Sequence, residues 1–113
     1  MIFPGRGEIW LVEFSPSVGT EIQKIRPVLV ISNDIANNKS SKITVIPLSS
    51  KVKFIAIMVV IEPDEENCLD RQSAIRIPDI TTFDKIRFKS KIGILKSEYM
   101  AEVEKKIKTH LNL

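Results

Sequence analysis

Short runs of β-branched and aromatic residues, separated by polar turns, make up most of the first 95 residues of this chain. Runs of this kind, bounded by Gly, Pro, Asn, Asp and Ser, are typical of β-strands. They predict strands over residues 8–14, 28–32, 43–48, 54–61 and 73–77, with shorter extended pieces over 80–83 and 91–95. The polar segments 33–34 and 37–41 have turn composition, with room for one helical turn around Ile35 and Ala36.

The apolar period changes to that of a helix near the end of the chain. Apolar residues repeat at helical spacing at Met100, Val103, Ile107 and Leu111. Ser97 is a candidate N-cap, and Glu98 lies in the first turn, where the helix dipole favours an acid. The simplest assembly is one domain over residues 1–113, in which one amphipathic helix closes a small antiparallel barrel.

Composition limits the cellular setting that we expect. Hydrophobic residues make up 43% and charged residues 27%, which is ordinary for a soluble globular protein. No apolar run reaches the roughly 18 residues of a membrane span, and residues 1–6 lack the pattern of a signal peptide. Cys68 is the one cysteine, which excludes an intrachain disulfide and a cysteine metal cluster. We therefore expect a cytoplasmic protein with no membrane partner.

The net charge of +3 is mildly basic. It permits an RNA or DNA partner without requiring one. Five cations lie close together near the end of the predicted sheet, at Lys85, Arg87, Lys89, Lys91 and Lys96, with Asp84 as the one acid among them. This cluster is either a phosphate-binding stripe or a solvated edge that lysines keep soluble.

Two short stretches carry the candidate chemistry. Residues 19–27 form a polar loop that ends in Arg26-Pro27 and leads into a strand, while Ser49 and Ser50 end another strand. A guanidinium binds phosphate oxygens bidentately, and a hydroxyl donates to them, so the two stretches are suited to converge on a phosphate. The structural alternatives are a surface ion pair of Arg26 with Glu21 or Glu13, and ordinary strand-end hydroxyls.

Seven motifs, spread over nearly the whole chain, resemble those of one known family. They are Gly7-Glu8-Ile9-Trp10, Phe14-Ser15-Pro16, Gly19-Thr20-Glu21, Arg26-Pro27-Val28-Leu29-Val30, Ile31-Ser32-Asn33-Asp34, Val45-Ile46-Pro47-Leu48-Ser49-Ser50 and Asp70-Arg71-Gln72-Ser73-Ala74-Ile75. The family is that of the MazF/PemK-type mRNA interferase toxins. The resemblance implies an SH3-like barrel with a C-terminal helix, and a homodimeric, metal-independent endoribonuclease that uses no cofactor. It also implies a single-stranded RNA substrate and inhibition by a cognate antitoxin.

The resemblance also assigns roles by position. Arg26 matches the family's catalytic arginine, Ser49 its catalytic threonine, and Glu21 the acid in the loop after the first strand. Contacts with the substrate are implied for Thr20, Gln23, Lys24, Ser50, Lys51 and Asp79. Two residues depart from the family pattern: Ser49 keeps the hydroxyl but lacks the methyl that helps to fix a threonine rotamer, and Lys51 stands where glutamine is common.

RNA can be cut without a metal because its own 2′-hydroxyl attacks the adjacent phosphate, which leaves a 2′,3′-cyclic phosphate and a 5′-hydroxyl. Arg26 suits stabilisation of the extra negative charge, Ser49 suits donation to a phosphate oxygen, and Glu21 or Asp79 suits the general base. The alternative function is a non-catalytic SH3-like module that binds nucleic acid or protein. The loss of threonine at position 49 keeps that alternative open.

Overall fold

A computed structural model of the protein describes residues 3–14 and 24–113. Seven strands are found there, β1 (Glu8–Glu13), β2 (Ile25–Val30), β3 (Lys42–Ser49), β4 (Met58–Ile61), β5 (Ser73–Arg76), β6 (Thr81–Asp84) and β7 (Phe88–Ile94). Two α-helices accompany them, α1 (Asp34–Lys39) and α2 (Ser97–Leu111), with 3₁₀ turns at Ile77–Asp79 and Lys85–Arg87. The predicted mainly antiparallel β fold with a C-terminal helix is therefore confirmed.

Strand β3 is the centre of the sheet. The strand order is β4-β5-β3-β2-β1-β7, and every pairing between neighbours is antiparallel. Strand β3 pairs with β6 along its first half and with β5 at Leu48 and Ser49. The 3₁₀ turn Ile77–Asp79 connects β5 to β6, so it lies beside the point where β3 changes partner.

The two faces of the sheet bury separate apolar clusters, because strand side chains alternate between faces. Helix α2 covers the first cluster, in which Met100 and Val103 of the helix pack with residues such as Leu29, Ile46 and Ile75. The second cluster holds the valines Val12, Val28, Val30 and Val45, together with Ile43. Four partly buried aromatics close it, at Trp10, Phe14, Phe83 and Phe88.

Two local predictions are wrong. Residues 54–57 were predicted as part of a strand, but β4 begins only at Met58, and Phe54 is 80% exposed. Ser97 does not cap α2: it is the first helical residue, the N-cap is Lys96, and the Ser97 hydroxyl donates to Glu98. Across the described ranges, no helix combines the length and apolar character needed to cross a membrane.

The basic cluster near β7 is held by contacts within the protein. Lys89 pairs with Glu13 at 3.5 Å, Lys91 with Glu8 at 3.0 Å, and Lys96 with Asp64 at 3.8 Å. Strand β7 is an edge of the sheet, as the structural interpretation of these lysines required. Three of the five cations are therefore ion-paired, two of them on the edge strand itself, while Lys85 and Arg87 donate to backbone carbonyls.

Glu8 connects the start of the chain to this edge. Its carboxylate accepts from the backbone N–H of Gly5 at 2.7 Å and from Trp10 Nε1 at 2.9 Å, and it pairs with Lys91. Burial raises the pKa of Glu8, but these three interactions outweigh burial, so its pKa lies below its ordinary value of 4.5. The ionised form of Glu8 therefore stabilises the fold.

Candidate nucleic-acid interface

Arg26 is the second residue of β2, which begins at Ile25, so Pro27 lies inside the strand and does not start it as the sequence suggested. The side chain of Arg26 is exposed, and the residue pairs with Val12 of β1 in the sheet register. The ladder continues to Phe14, whose N–H donates to the carbonyl of Lys24 at 2.9 Å. Pairing with β1 therefore fixes the backbone of Arg26, while its side chain reaches solvent.

An aromatic surface supports the Arg26 side chain. The guanidinium carbon lies 5.9 Å from the centre of the Phe14 ring. Phe14 packs in turn against Phe83, with ring centres 5.0 Å apart, and both rings belong to the second apolar cluster. A guanidinium stacked on an aromatic face keeps its N–H groups at its rim available to a ligand.

Glu13 does not hold Arg26 in an ion pair. Its carboxylate pairs with Lys89 on β7, and its carbonyl accepts from Arg87 at 3.3 Å. The alternative in which Arg26 forms a surface ion pair with Glu13 is therefore wrong. The alternative ion pair with Glu21 stays untested, because Glu21 lies outside the described residues.

Ser49 is the last residue of β3 and is half-buried. Its Oγ accepts a hydrogen bond from the backbone N–H of Lys51 at 3.0 Å. Because the contact uses a lone pair, the hydroxyl proton stays available for donation to another acceptor. The same contact fixes the direction of Oγ, which is the task that the missing threonine methyl would otherwise help to perform.

The observed pairing of β2 with β3 stops two residues short of Arg26 and Ser49. Val28 pairs with Pro47, and two further residues along each strand lead to Arg26 and Ser49. Residues level with each other on antiparallel strands point to the same face, with Cα atoms about 4.5–5.5 Å apart. The register continued past its last pair thus sets Arg26, near the start of β2, level with Ser49 at the end of β3, although Arg26 is not among the residues that line the cavity at Ser49.

A cavity of about 360 Å³ opens beside Ser49. Its polar lining comes from Ser49, Lys51, Lys53, Arg76 and Asp79, so the structure brings three of the predicted site residues together. Arg76 ends β5, and Asp79 ends the 3₁₀ turn that follows. Their side chains form an ion pair, with 3.3 Å between Arg76 Nε and Asp79 Oδ1.

The remaining predicted site residues divide into two groups. Lys24 is exposed directly before β2, and Ser50 is exposed directly after Ser49. Thr20, Glu21 and Gln23 lie outside the described residues, so their predicted roles stay predictions. In the described ranges, histidine, cysteine and carboxylate side chains form no group of three or more suited to a metal ion.

Arg76 and Lys53 are the polar residues of the cavity that the sequence analysis did not predict, and only Arg76 lies in a strand. Its alternation with Ala74 gave the available signal, because Ala74 pairs with Ser49 and residues two apart in a strand share a face. The pairing of β5 with β3 is needed to read that signal. The sequence pattern showed Arg76 only as one residue of a predicted strand, and the pairing of β5 with β3 places it at the cavity.

Fold and site together define a small antiparallel β protein with a cationic cleft where its central strands end. Residues 5–111 match the family described as PemK-like, MazF-like toxin of type II toxin-antitoxin system. A curated relative, Endoribonuclease MazF of Staphylococcus saprophyticus, is 34% identical over 109 residues, which are 96% of this chain and 91% of that protein. The chain therefore belongs to the PemK-like, MazF-like toxin family, as its motifs predicted.

Solved structures share the fold at lower identity. The MazE–MazF structure (Form-II) from Deinococcus radiodurans has a TM-score of 0.84 and 21% identity, covering 100% of this chain and 99% of that chain. An endoribonuclease in complex with its cognate antitoxin from Mycobacterial species has a TM-score of 0.77 and 19% identity, covering 97% and 96%. At identities this low, the structural similarity shows a shared fold and nothing more.

Proposed function

We propose that this protein is an endoribonuclease toxin that cleaves single-stranded RNA by attack of the substrate's own 2′-hydroxyl. The products are a 2′,3′-cyclic phosphate and a 5′-hydroxyl, and the reaction proceeds without a metal or cofactor. The observation that carries the proposal is the position of Arg26 and Ser49 at the ends of neighbouring strands. The curated relative, named as an endoribonuclease, supports the same activity.

Arg26 stabilises the extra negative charge that develops on the phosphate. Its exposed guanidinium, supported on Phe14, carries a fork of N–H donors that fits two phosphate oxygens. Arginine stays protonated at any physiological pH, so it acts as an electrostatic stabiliser and not as the base. Ser49 donates its free hydroxyl proton to a non-bridging oxygen of the same phosphate.

Glu21 is the proposed general base: it takes the proton of the 2′-hydroxyl as the 2′-oxygen bonds to phosphorus, and the 5′-oxygen takes a proton from water as its bond to phosphorus breaks. Glu21 occupies the acidic position of the family motif Gly19-Thr20-Glu21, in the loop that leads to Arg26. Asp79 is the weaker candidate because its carboxylate is already paired with Arg76. Thr20, Gln23, Lys24, Ser50 and Lys51 contact the substrate in this proposal.

A cognate antitoxin, a second copy of the chain and a cytoplasmic location complete the proposal. The antitoxin lays an acidic, extended segment over the cationic cleft and so excludes RNA. The antitoxin complex among the similar structures supports such a partner. A homodimer is reasonable because a barrel this small gains apolar burial through an interface, and sedimentation velocity tests it.

The test compares two RNAs that differ in one atom. The protein is incubated in EDTA with a single-stranded RNA, and the product ends are mapped. The same RNA is then made with a 2′-deoxynucleotide at the mapped site. We expect cyclic-phosphate ends from the first RNA and no cleavage at the modified position. Cleavage that survives the 2′-deoxy substitution contradicts the mechanism, and binding without cleavage of either RNA favours the non-catalytic module.

A further inference from the structure

We propose that Arg76 binds a second phosphate of the RNA, next to the phosphate that is cleaved. The inference rests on the proposed function, since it assigns a subsite to the same cleft. The ligand is the phosphodiester of a nucleotide that flanks the cleavage position, and Asp79 is the residue that orients Arg76. A subsite of this kind gives affinity for RNA without taking part in bond cleavage.

Arg76 lies on the same face as the proposed catalytic pair. Ser49 pairs with Ala74, and Arg76 is two residues further along β5. Diagonal neighbours on adjacent antiparallel strands have Cα atoms roughly 7–8 Å apart. Successive phosphates of an extended RNA strand are separated by a comparable distance. An RNA phosphate held at Ser49 therefore has a neighbouring phosphate within reach of Arg76.

The charge of the cavity favours an anion. Three cations, Lys51, Lys53 and Arg76, face a single carboxylate, Asp79, among the described residues that line it. Cations around one concave opening add their potentials, so the opening attracts a polyanion. Arg76 differs from the two lysines because it extends from a paired strand, whereas Lys51 and Lys53 lie after the end of β3.

The ion pair with Asp79 positions Arg76 without saturating it. The contact uses Nε, while a guanidinium has five N–H donors, so donors remain for a phosphate. The side chains of Arg76 and Asp79 are 46% and 50% exposed. Exposed pairs of this kind contribute little to stability, so the fold does not depend on this contact. Its consequence is a guanidinium held at the cavity opening, in contact with solvent.

The chain offers a matched control for charge. Arg71 pairs with Asp70 at 3.5 Å, and both side chains are exposed, at 70% and 84%. This second arginine–aspartate pair precedes β5, at the opposite end of the strand from Arg76. Arg71→Gln and Arg76→Gln therefore remove the same charge from the same strand region, but only Arg76 lines the cavity.

The experiment measures cleavage kinetics and salt-dependent binding of the 2′-deoxy RNA. For Arg76→Gln we expect a KM raised about tenfold with kcat within twofold, because the lost contact is made before and during the reaction. The slope of log affinity against log salt should fall by about 0.7, the value for one contact on a single strand. Arg71→Gln should change neither quantity. Arg76→Lys should keep the salt slope but recover only part of the affinity.

A second set of substrates identifies the phosphate that Arg76 contacts. Each flanking phosphate is replaced in turn by an uncharged methylphosphonate. We expect one replacement to weaken binding by the wild type but not by Arg76→Gln. If every replacement weakens both proteins equally, or if Arg76→Gln behaves like Arg71→Gln, the subsite is wrong although the wild type still cleaves RNA. Absence of RNA cleavage by the wild type contradicts instead the proposed function.

Discussion

The guanidinium of Arg26 lies over the ring of Phe14, 5.9 Å from its centre, so an apolar cluster supports the residue that is proposed to bind the phosphate. Phe14 belongs to that cluster together with Phe83, Phe88 and Trp10. The contact joins the folding core to the proposed site through a single aromatic side chain.

Replacement of Phe14 therefore tests whether this support matters for catalysis. Phe14→Leu should lower kcat/KM roughly two- to fivefold, because a cation–π contact contributes about 0.5–1 kcal/mol. Phe88→Leu is the control: Phe88 packs edge-on against Trp10 in the same cluster, with ring centres 6.1 Å apart. Both variants should lose similar thermal stability, but Phe88→Leu should keep activity within twofold. Equal losses of activity in the two variants contradict a specific role for Phe14.

The hydroxyl at position 49 gives a second prediction. Ser49→Ala should lower kcat about a hundredfold, since removal of one donor that stabilises charge in the transition state costs on that order. Ser49→Thr should match or exceed the wild type, because the hydroxyl is kept and its rotamer is stiffer. Single-turnover cleavage of one labelled RNA gives both values. An active Ser49→Ala variant shows that the hydroxyl is an ordinary strand-end group.

Asp79 and Glu21 are predicted to respond differently to neutralisation. Asp79→Asn should alter mainly KM, with kcat within fivefold, because its carboxylate orients Arg76 at 3.3 Å. Glu21→Gln should lower kcat at least a hundredfold and remove the acidic limb of the pH–rate profile, as loss of a general base does. The pH dependence of kcat distinguishes the two residues. Loss of the acidic limb in Asp79→Asn would transfer the role of base to Asp79.

Glu8 supplies a prediction about pH and stability. Its pKa is lowered in the folded protein, so its ionised form adds stability above the unfolded pKa, and that stability is lost as pH falls through the folded pKa. Glu8→Gln should lower the free energy of unfolding by about 1 kcal/mol at pH 7. The difference from the wild type should shrink below pH 4.5, the ordinary value from which the pKa is lowered. Chemical unfolding at several pH values measures it, with exposed Glu65→Gln as the control. A difference independent of pH contradicts this origin.

The sequence predicted much of the fold because the strands bury alternate residues on two apolar faces. The apolar run 54–61 was the exception, since hydrophobicity alone does not say where pairing stops. The ladder between β4 and β5 begins at Met58, opposite Arg76, and one further backbone bond joins Ile77 N to the carbonyl of Ile57 at 2.8 Å. Beyond Arg76 the chain turns away through Pro78, which has no N–H for a further ladder bond.

The site was predictable only in part, for a related reason. Arg26 and Ser49 each stood out beside a turn, but their closeness depends on the pairing of Val28 with Pro47, which no local pattern specifies. Arg76 could be assigned to the site only from two features of the folded chain. They are the pairing of β5 with β3 and the 3₁₀ turn that brings Asp79 back to Arg76. Residues far apart in sequence become a site through register, and register is a property of the folded sheet.

The most direct test of the central claim compares wild-type protein and Arg26→Ala on one single-stranded RNA in EDTA, with product ends mapped and folding checked by circular dichroism. Arg26→Lys serves as an intermediate, because it keeps the charge and loses the fork. We expect cyclic-phosphate ends from the wild type, a weak signal from Arg26→Lys and no detectable cleavage by a folded Arg26→Ala. Near wild-type cleavage by folded Arg26→Ala would contradict this expectation.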